Sequence, residues 1–278
     1  MTTPIPDYPV FGADVSKWQK ALKYIDFKKM KDTGAGFVMM RAGFGSEPDR
    51  DINYNATESK NHFDIRGAYW FPDHRYLTTQ YDQLQAMRAV WQTYSFELPL
   101  ILDIEHLQKN NVSYFPGRSA AIDFYKPFID DIKQRRGRAP MLYINQNAIN
   151  VLSPLPAYML ECPLWIASWK RTTPLYSQWQ KWTFWQTGVY ERGTEFGCDS
   201  PTIDLNVYNG TTEDLYDFAG IADEPIIIPS DYDKRITVLE NKVETMHVAI
   251  ENLRTEYEDL LSVLRETYKD ASQSLTEL

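Results

Sequence analysis

Two carboxylates, Asp103 and Glu105, end the apolar run LPLILDIE at residues 98–105. Side chains at positions i and i+2 of a strand lie on one face, with their Cβ atoms about 6.5 to 7 Å apart. Each carboxylate then disfavours ionisation of the other, and burial adds to the effect, so we expect one of them to stay protonated near neutral pH. A protonated acid beside an ionised carboxylate is the arrangement that cleaves glycosidic bonds.

Short β-branched and aromatic runs alternate with helical segments, which predicts βα units around a parallel sheet. Helical periodicity is clear at 78–94 and 118–135, but the connections after residue 168 are short and rich in Trp, so the last three strands are expected to lack helices. The predicted fold class is α/β, an irregular TIM-like (β/α) barrel with late strands lacking helices, followed by a C-terminal coiled-coil helix. Eight strands are predicted, at 9–14, 37–42, 66–71, 98–105, 140–145, 163–168, 183–188 and 201–208.

The C-terminal ends of the predicted strands carry mostly carboxylates and aromatics. In such barrels the catalytic groups project from these ends, because the βα loops at that rim build the site. Sugar rings stack on aromatic side chains, so 8 Trp and 18 Tyr fit a carbohydrate site. The candidates are Asp14, Arg41, Tyr69, Phe71, Asp103, Glu105, Tyr143, Asn145, Trp169, Trp185, Gln186 and Asp204.

Composition argues against several classes of function. A net charge of −9 leaves no basic stripe to meet phosphates, so we expect no nucleic-acid partner, and an anionic substrate must be held by specific contacts. The sequence contains no run of about 18 apolar residues, so no membrane span is predicted. The N-terminus MTTPIPDYPVFG lacks the pattern of a signal peptide.

Cysteine and histidine usage gives little support for a metal site. Cys162 and Cys198 stand in no metal-binding spacing, so they are predicted to be free structural thiols. The histidines are scattered and expected to face solvent, and only the one beside Glu105 is a candidate for a role at the site. They are His62, His74, His106 and His247.

The C-terminal segment has a different pattern from the rest of the chain. Apolar residues spaced alternately three and four apart form an a/d seam over 236–264, which favours a homo-oligomeric coiled coil, a dimer or a trimer. The alternative is a helix that packs back on the barrel. We therefore predict a barrel at 8–220, a proline-containing linker at 221–233 and a coiled-coil oligomerisation helix at 234–278. The seam comprises Ile236, Leu239, Val243, Met246, Ile250, Leu253, Tyr257, Leu260 and Leu264.

Residues 10–219 resemble the family 25 glycoside hydrolases, the muramidases found as phage lysins and bacterial autolysins. The resemblance rests on the ordered motifs GADVSKWQ, FVMMRAGFG, GAYWF, LPLILDIE, PMLYIN, PLWIASW, WQTG and IDLNVYNG. It implies a barrel of five βα units and three further strands. It also implies cleavage of the β-1,4 bond between N-acetylmuramic acid and N-acetylglucosamine in peptidoglycan, with no cofactor and no metal.

The resemblance assigns roles to individual positions. Glu105 is similar to the general acid, and Asp103 to the carboxylate that orients the 2-acetamido group of the sugar, which implies net retention with the acetamido oxygen as nucleophile. The strand spacing itself leaves retention and inversion open. Trp70 and Thr187 stand where many members have His and Tyr. The remaining catalytic candidates are Asp14 and Asp204, and the substrate-binding candidates are Arg41, Tyr69, Tyr143, Trp169 and Trp185.

Three functions remain open from the sequence. The leading one is a peptidoglycan muramidase, held in an oligomer by its tail, that acts on the bacterial cell wall as a phage lysin or as part of a virion or injection apparatus. Other phage particle proteins are then candidate partners. The second is a catalytically inactive, sugar-binding structural component of a phage tail. The third is a metal-dependent hydrolase that uses the same carboxylates.

Overall fold

The computed structural model describes residues 8–19, 23–105, 108–109, 112–113, 117–221 and 232–276. The chain divides into two compact units, residues 1–223 and 224–278. The strands are β1 Phe11–Val15, β2 Phe37–Phe44, β3 Glu47–Pro48, β4 Arg66–Phe71, β5 Ile101–Ile104, β6 Gln108–Lys109, β7 Val112–Ser113, β8 Met141–Asn145, β9 Leu164–Ala167, β10 Phe184–Tyr190 and β11 Ile203–Tyr208. The helices are α1 Phe27–Asp32, α2 Ile52–Ser59, α3 Gln80–Thr93, α4 Arg118–Arg136, α5 Gln146–Leu152, α6 Ala157–Leu160, α7 Thr212–Ala219 and α8 Tyr232–Thr276.

Eight strands close into a barrel in the order β1, β2, β4, β5, β8, β9, β10, β11. Neighbours are parallel from β1 to β10, whereas β11 runs antiparallel to both β10 and β1 and closes the ring. The connections that lead to β10 and β11, which the structure describes completely, contain no helix. The predicted irregular barrel with late strands lacking helices is therefore confirmed.

The direction of β11 corrects the expectation of an all-parallel sheet. A parallel return requires the chain to cross the full length of the barrel, usually as a helix, and the connection between β10 and β11 contains none. The N-terminal end of β11 therefore lies at the same rim as the C-terminal ends of its neighbours. Asp204, the second residue of β11, reaches this rim from the start of its strand.

Alternation along the strands separates two layers of core. One set of side chains fills the barrel interior, as Phe37, Met39, Ile101 and Phe184 do. The alternate set packs outward against the helices and forms the larger cluster, which includes Trp185. Because successive side chains of a strand point to opposite faces, this parity decides which strand-end residues can enter a site inside the rim.

Strand β5 is shorter than its sequence pattern predicts. It begins at Ile101 rather than at residue 98 and ends at Ile104, so Glu105 is the first residue beyond the strand. Pro99 lies in the predicted segment and has no N–H to donate to a neighbouring strand, which favours the later start. Asp103 is still within the strand, and Glu105 follows it at the rim.

The helix predicted for the second unit is present as α8. Seven of its seam residues, from Val243 to Leu264, have 57% to 66% of their surface exposed. The predicted linker falls almost entirely on residues 222–231, which lie outside the described residues. Among the helices that the structure describes, none is both long and apolar enough to cross a bilayer.

Candidate active site

A cavity of about 470 Å³ opens at the rim where the C-terminal ends of the parallel strands meet. Eight of the nine predicted site residues line it, and they come from seven different strands or the segments that follow them. Phe71, Trp18 and Arg75 also contribute to its wall. The eight predicted residues are Asp14, Arg41, Tyr69, Asp103, Glu105, Tyr143, Trp169 and Asp204.

Asp14 is held at the base of the cavity by two side-chain amides. Its Oδ2 accepts hydrogen bonds from Gln186 Nε2 and from Asn206 Nδ2, each at 2.9 Å. Gln186 Oε1 in turn accepts from Tyr143 Oη and from Trp169 Nε1, also at 2.9 Å. Burial raises the pKa of Asp14 to about 6, although the two amide hydrogen bonds lower it. The carboxylate is therefore fixed in position and ionised at neutral pH.

Asp204 lies directly opposite Asp14 in the antiparallel pair of β1 and β11. Directly opposed residues have Cβ atoms about 4.5 to 5.5 Å apart, and like charges there repel. Burial, the Asp14 carboxylate and the Glu105 carboxylate raise the pKa of Asp204 to about 8. Asp204 is thus neutral when Asp14 first ionises.

The pair from the sequence motif, Asp103 and Glu105, is also shifted upward. Burial, the Glu105 charge and the Asp14 charge hold the pKa of Asp103 well above its usual range, while Arg41 opposes the shift. Burial and the Asp14 charge raise the pKa of Glu105 to about 7. Both carboxyl groups are therefore harder to ionise than an exposed carboxyl, in agreement with the expectation for this pair.

Arg41 supplies positive charge to a cavity otherwise dominated by acids. Its Nε donates to Asp49 Oδ2 at 2.7 Å, and the Asp49 side chain is completely buried. Asp49 also accepts a backbone hydrogen bond from Asp51. The ion pair with Asp49 holds the guanidinium at the cavity wall, where its positive charge lowers the pKa of Asp103.

The structure corrects the assignment of Trp185 as a substrate-binding residue. Its ring is completely buried in the outer core layer, and its Nε1 donates to Ser168 O at 2.8 Å. The neighbouring Gln186 faces inward instead, because adjacent strand residues point to opposite faces. Trp70 is likewise buried and donates to Gly45 O, so its departure from the family pattern lies outside the cavity.

The predictions for the histidines and cysteines have mixed outcomes. His74 is buried and its Nδ1 lies 2.9 Å from Tyr125 Oη, so the expectation that it faces solvent is wrong. His62 is half-buried beside Glu58, which also departs from that expectation. His247 is exposed, as expected, and His106 lies outside the described residues. Both cysteines are free and buried, which confirms their prediction as structural thiols.

Two inward-facing residues, Asn206 and Trp165, were missed as candidates, and Gln186 was a strand-end candidate to which the sequence assigned no role. Asn206 follows Asp204 by two positions on β11, so strand parity alone would have placed it on the same face. Trp165 Nε1 donates to Asn206 Oδ1 at 2.8 Å and completes the network behind Asp14. The same parity argument places Gln186 inside and Trp185 outside.

A larger cavity, of about 600 Å³, lies at the opposite rim, where Pro163 and Thr183 precede their strands. It contains a single acidic side chain, Glu161, among its lining residues. Paired carboxylates with raised pKa values mark functional sites far better than cavity size does. The carboxylate-lined cavity is therefore the candidate active site.

Comparison with known proteins decides the family. The profile described as Glycosyl hydrolases family 25 matches residues 13–191. The chain belongs to this family. Lysozyme M1 of Streptomyces globisporus is 29% identical over 211 residues, which cover 74% of this chain and 70% of that protein.

Two solved structures give the same result. The bacterial lysozyme from Streptomyces coelicolor has a TM-score of 0.63 at 26% identity, with 76% of this chain and 97% of that chain covered. A family 25 glycosyl hydrolase from Bacillus anthracis has a TM-score of 0.66 at 25% identity, with 78% and 97% covered. The predicted class, a glycoside hydrolase, is confirmed.

The titration of the cavity suits a glycosyl hydrolase at mildly acidic pH. Between the pKa of Asp14, about 6, and that of Glu105, about 7, Asp14 is negative while Glu105 still carries its proton. Asp204 is neutral in this range, because its pKa lies higher, and burial with the neighbouring charges holds the pKa of Asp103 well above its usual range. One proton donor and one fixed negative charge then face the same space, which is what cleavage through an oxocarbenium-like transition state requires.

Asp14→Asn is expected to move the alkaline limb of the kcat/KM profile below about pH 7, where Glu105 loses its proton in the native protein. Asp14 is ionised at that pH, and its charge raises the pKa of Glu105; the amide removes the charge, so Glu105 deprotonates at lower pH. The pH dependence of hydrolysis checks this, with the exposed Asp123→Asn as a matched control that keeps the native limb. An Asp14→Asn profile with the native alkaline limb would contradict the coupling.

Proposed function

We propose that the protein is an N-acetylmuramidase that cleaves the β-1,4 bond between N-acetylmuramic acid and N-acetylglucosamine in bacterial peptidoglycan. The observation that carries the proposal is Glu105, an acid with a pKa of about 7, in one cavity with three further carboxyl groups and exposed aromatic rings. Membership in glycosyl hydrolase family 25 and the similarity to lysozymes support this substrate class.

Glu105 acts as the general acid. It transfers its proton to the glycosidic oxygen as the bond from that oxygen to the anomeric carbon breaks, so the departing sugar leaves as an alcohol. The positive charge that develops on the glycone is stabilised by the fixed negative charge of Asp14. The ionised Glu105 that remains then takes a proton from water, which attacks the anomeric carbon and completes hydrolysis.

Asp103 positions the substrate's own acetamido group. Its Oδ1 is buried and has no hydrogen-bond partner among the described residues, so it is available to accept the acetamido N–H. The acetamido oxygen then attacks the anomeric carbon from the face opposite the leaving group, and water later opens the resulting oxazolinium ion with net retention. Burial and the neighbouring charges raise the pKa of Asp103, which disfavours the ionised nucleophile that a covalent aspartyl intermediate needs and so favours this substrate-assisted route.

The two alternative functions are separated from the proposal by one assay. Clearing of a suspension of purified peptidoglycan should occur at similar rates with and without EDTA, because protons and carboxylates alone perform the proposed chemistry. Inhibition by EDTA that added metal reverses would favour the metal-dependent hydrolase. Among the described residues, no group of three or more His, Cys, Asp or Glu is arranged to hold a metal ion. Binding to the wall without clearing would favour the inactive structural component.

The C-terminal helix supports a further part of the proposal, self-association through residues 236–264. An exposed stripe that includes Val243, Ile250 and Leu264 can bury its apolar surface only against another helix, and an isolated amphipathic helix gains little stability in water. β-branched residues at most a positions favour a parallel dimer, whereas Tyr257 at an a position leaves a trimer open.

The domain organisation that follows is a catalytic barrel at 8–220, a linker at 221–233 and an oligomerisation helix at 234–278. Several barrels held together can engage one wall at several points, which suits a phage lysin or the lytic part of a virion or injection apparatus. In the latter setting, other phage particle proteins are the proposed partners of the helix. The site of action in each case is the bacterial cell wall.

A further inference from the structure

The catalytic cleft has a second lobe beyond Glu105. The cavity of about 470 Å³ described above, here the carboxylate lobe, shares three lining residues with a second cavity of about 390 Å³, here the amide lobe. The shared residues are Glu105, Tyr143 and Trp169. The proton donor therefore stands at the border between two adjoining cavities, each large enough for a sugar.

The amide lobe differs chemically from the carboxylate lobe. Its wall carries three consecutive side-chain amides, Asn145, Gln146 and Asn147, together with the half-exposed ring of Trp169 and the exposed Arg171. Its only carboxylate is the shared Glu105. Side-chain amides both donate hydrogen bonds to hydroxyl and acetamido groups and accept them, and a sugar ring can stack on the face of an indole. This lobe suits an uncharged sugar with an anionic substituent nearby, and apart from the shared Glu105 it carries no acid that could stabilise a cation.

Two residues in the wall of the amide lobe, Asn145 and Trp169, are held by hydrogen bonds within the protein. Asn145 Oδ1 accepts from Ala148 N at 2.9 Å, and Trp169 Nε1 donates to Gln186 Oε1 at 2.9 Å. Lys170, between Trp169 and Arg171, has a φ of 57°, in the left-handed region that L-residues rarely adopt. Such strain persists where the surrounding structure enforces it, and it clusters at ligand sites. The Asn147 side chain makes no hydrogen bond to the residues that the structure describes.

We propose that the amide lobe is the subsite for the departing side of the glycan, with Asn147 bound to the leaving N-acetylglucosamine and Arg171 paired with a carboxylate carried by the next muramic acid. The inference rests on the proposed muramidase function. Positive charge develops on the glycone, so the glycone belongs beside Asp14 and Asp103 in the carboxylate lobe. The oxygen that Glu105 protonates lies at the border, and the sugar that leaves with it must lie in the other lobe.

The test compares two substrates with the full-length protein. A tetrasaccharide of two N-acetylglucosaminyl–N-acetylmuramic acid repeats fills both lobes, whereas the β-fluoride of one repeat has a leaving group of a single atom. In Asn147→Ala and in Arg171→Gln, the ratio of kcat/KM for the tetrasaccharide to kcat/KM for the fluoride should fall about tenfold, the loss of about one good hydrogen bond. Arg75→Gln, a matched change in the carboxylate lobe, should leave this ratio within about twofold of the native value.

A second arm tests the charge. With the carboxylates of the tetrasaccharide converted to methyl esters, Arg171→Gln should no longer change the ratio, while Asn147→Ala should change it as before. Native ratios in both variants with the unmodified tetrasaccharide would overturn the subsite assignment. A native protein that hydrolyses neither substrate would instead refute the proposed muramidase function, and the subsite with it.

Discussion

Glu105→Gln is expected to lower the rate of peptidoglycan hydrolysis by ~10²- to 10⁴-fold, the usual contribution of a positioned general acid. The amide keeps the size of the side chain but has no proton of suitable acidity to transfer to the leaving oxygen. Because burial raises the pKa of Glu105 to about 7, replacement by a neutral isostere removes a desolvated charge rather than a stabilising one. The thermal unfolding temperature should therefore not fall.

Glu161→Gln is the matched control for this variant, because it makes the same chemical change in the cavity at the opposite rim. It should retain native turnover. A Glu105→Gln protein that keeps more than about a tenth of native activity would show that another group protonates the leaving oxygen. The fluoride substrate gives a further check, because fluoride needs less help from a general acid to leave. The rate of fluoride hydrolysis should therefore fall less in Glu105→Gln than the rate of peptidoglycan hydrolysis.

Deletion of the chain after residue 222 is expected to give a monomeric barrel that hydrolyses soluble glycan fragments at close to the full-length rate. The acidic site lies entirely within residues 8–221, and a match over 76% of this chain covers 97% of the Streptomyces coelicolor lysozyme. Apparent affinity for intact wall should fall by up to ~10²- to 10⁴-fold, because barrels that the helix no longer joins bind the wall one at a time. Light scattering and wall co-sedimentation measure the two effects.

Single substitutions in α8 separate the seam from the helix itself. Ile250→Asp places a charge in the seam and should dissociate the oligomer, whereas Val248→Asp makes a similar change at an exposed position off the seam and should leave it intact. A full-length protein that is monomeric at micromolar concentration would contradict self-association. A truncated protein, ending at residue 222, that no longer folds would show that the C-terminal helix is part of the core.

The acid pair and most of the cavity wall could be predicted because a strand carries its information locally. The apolar run that ends in Asp103 and Glu105 indicates a buried strand, and the two-residue spacing places both side chains on one face. In a barrel of parallel strands this is enough to place the ends of several strands at one rim. The same reasoning, applied strictly to parity, would have replaced Trp185 with Gln186.

The remaining features depend on contacts between distant segments. Asp14 bonds to Gln186 and Asn206, which are 172 and 192 residues away in the sequence. His74 lies in the turn after β4 and is buried with its Nδ1 beside Tyr125 Oη of α4. The antiparallel direction of β11 is also invisible in its own pattern, since an alternating strand reads alike in either direction. No local pattern encodes these relations, so only the fold shows them.

The sugar at the new reducing ends of digested peptidoglycan distinguishes a muramidase from the other classes of wall hydrolase. Purified wall is incubated with the full-length protein at a pH between about 6 and 7, where Asp14 is ionised and Glu105 is protonated. The fragments are then reduced with borohydride and identified by mass spectrometry. We expect reduced N-acetylmuramic acid at every new end in the native digest, and almost none after incubation with Glu105→Gln. Reduced N-acetylglucosamine at the new ends, or new peptide termini with intact glycan strands, would contradict the proposed muramidase function.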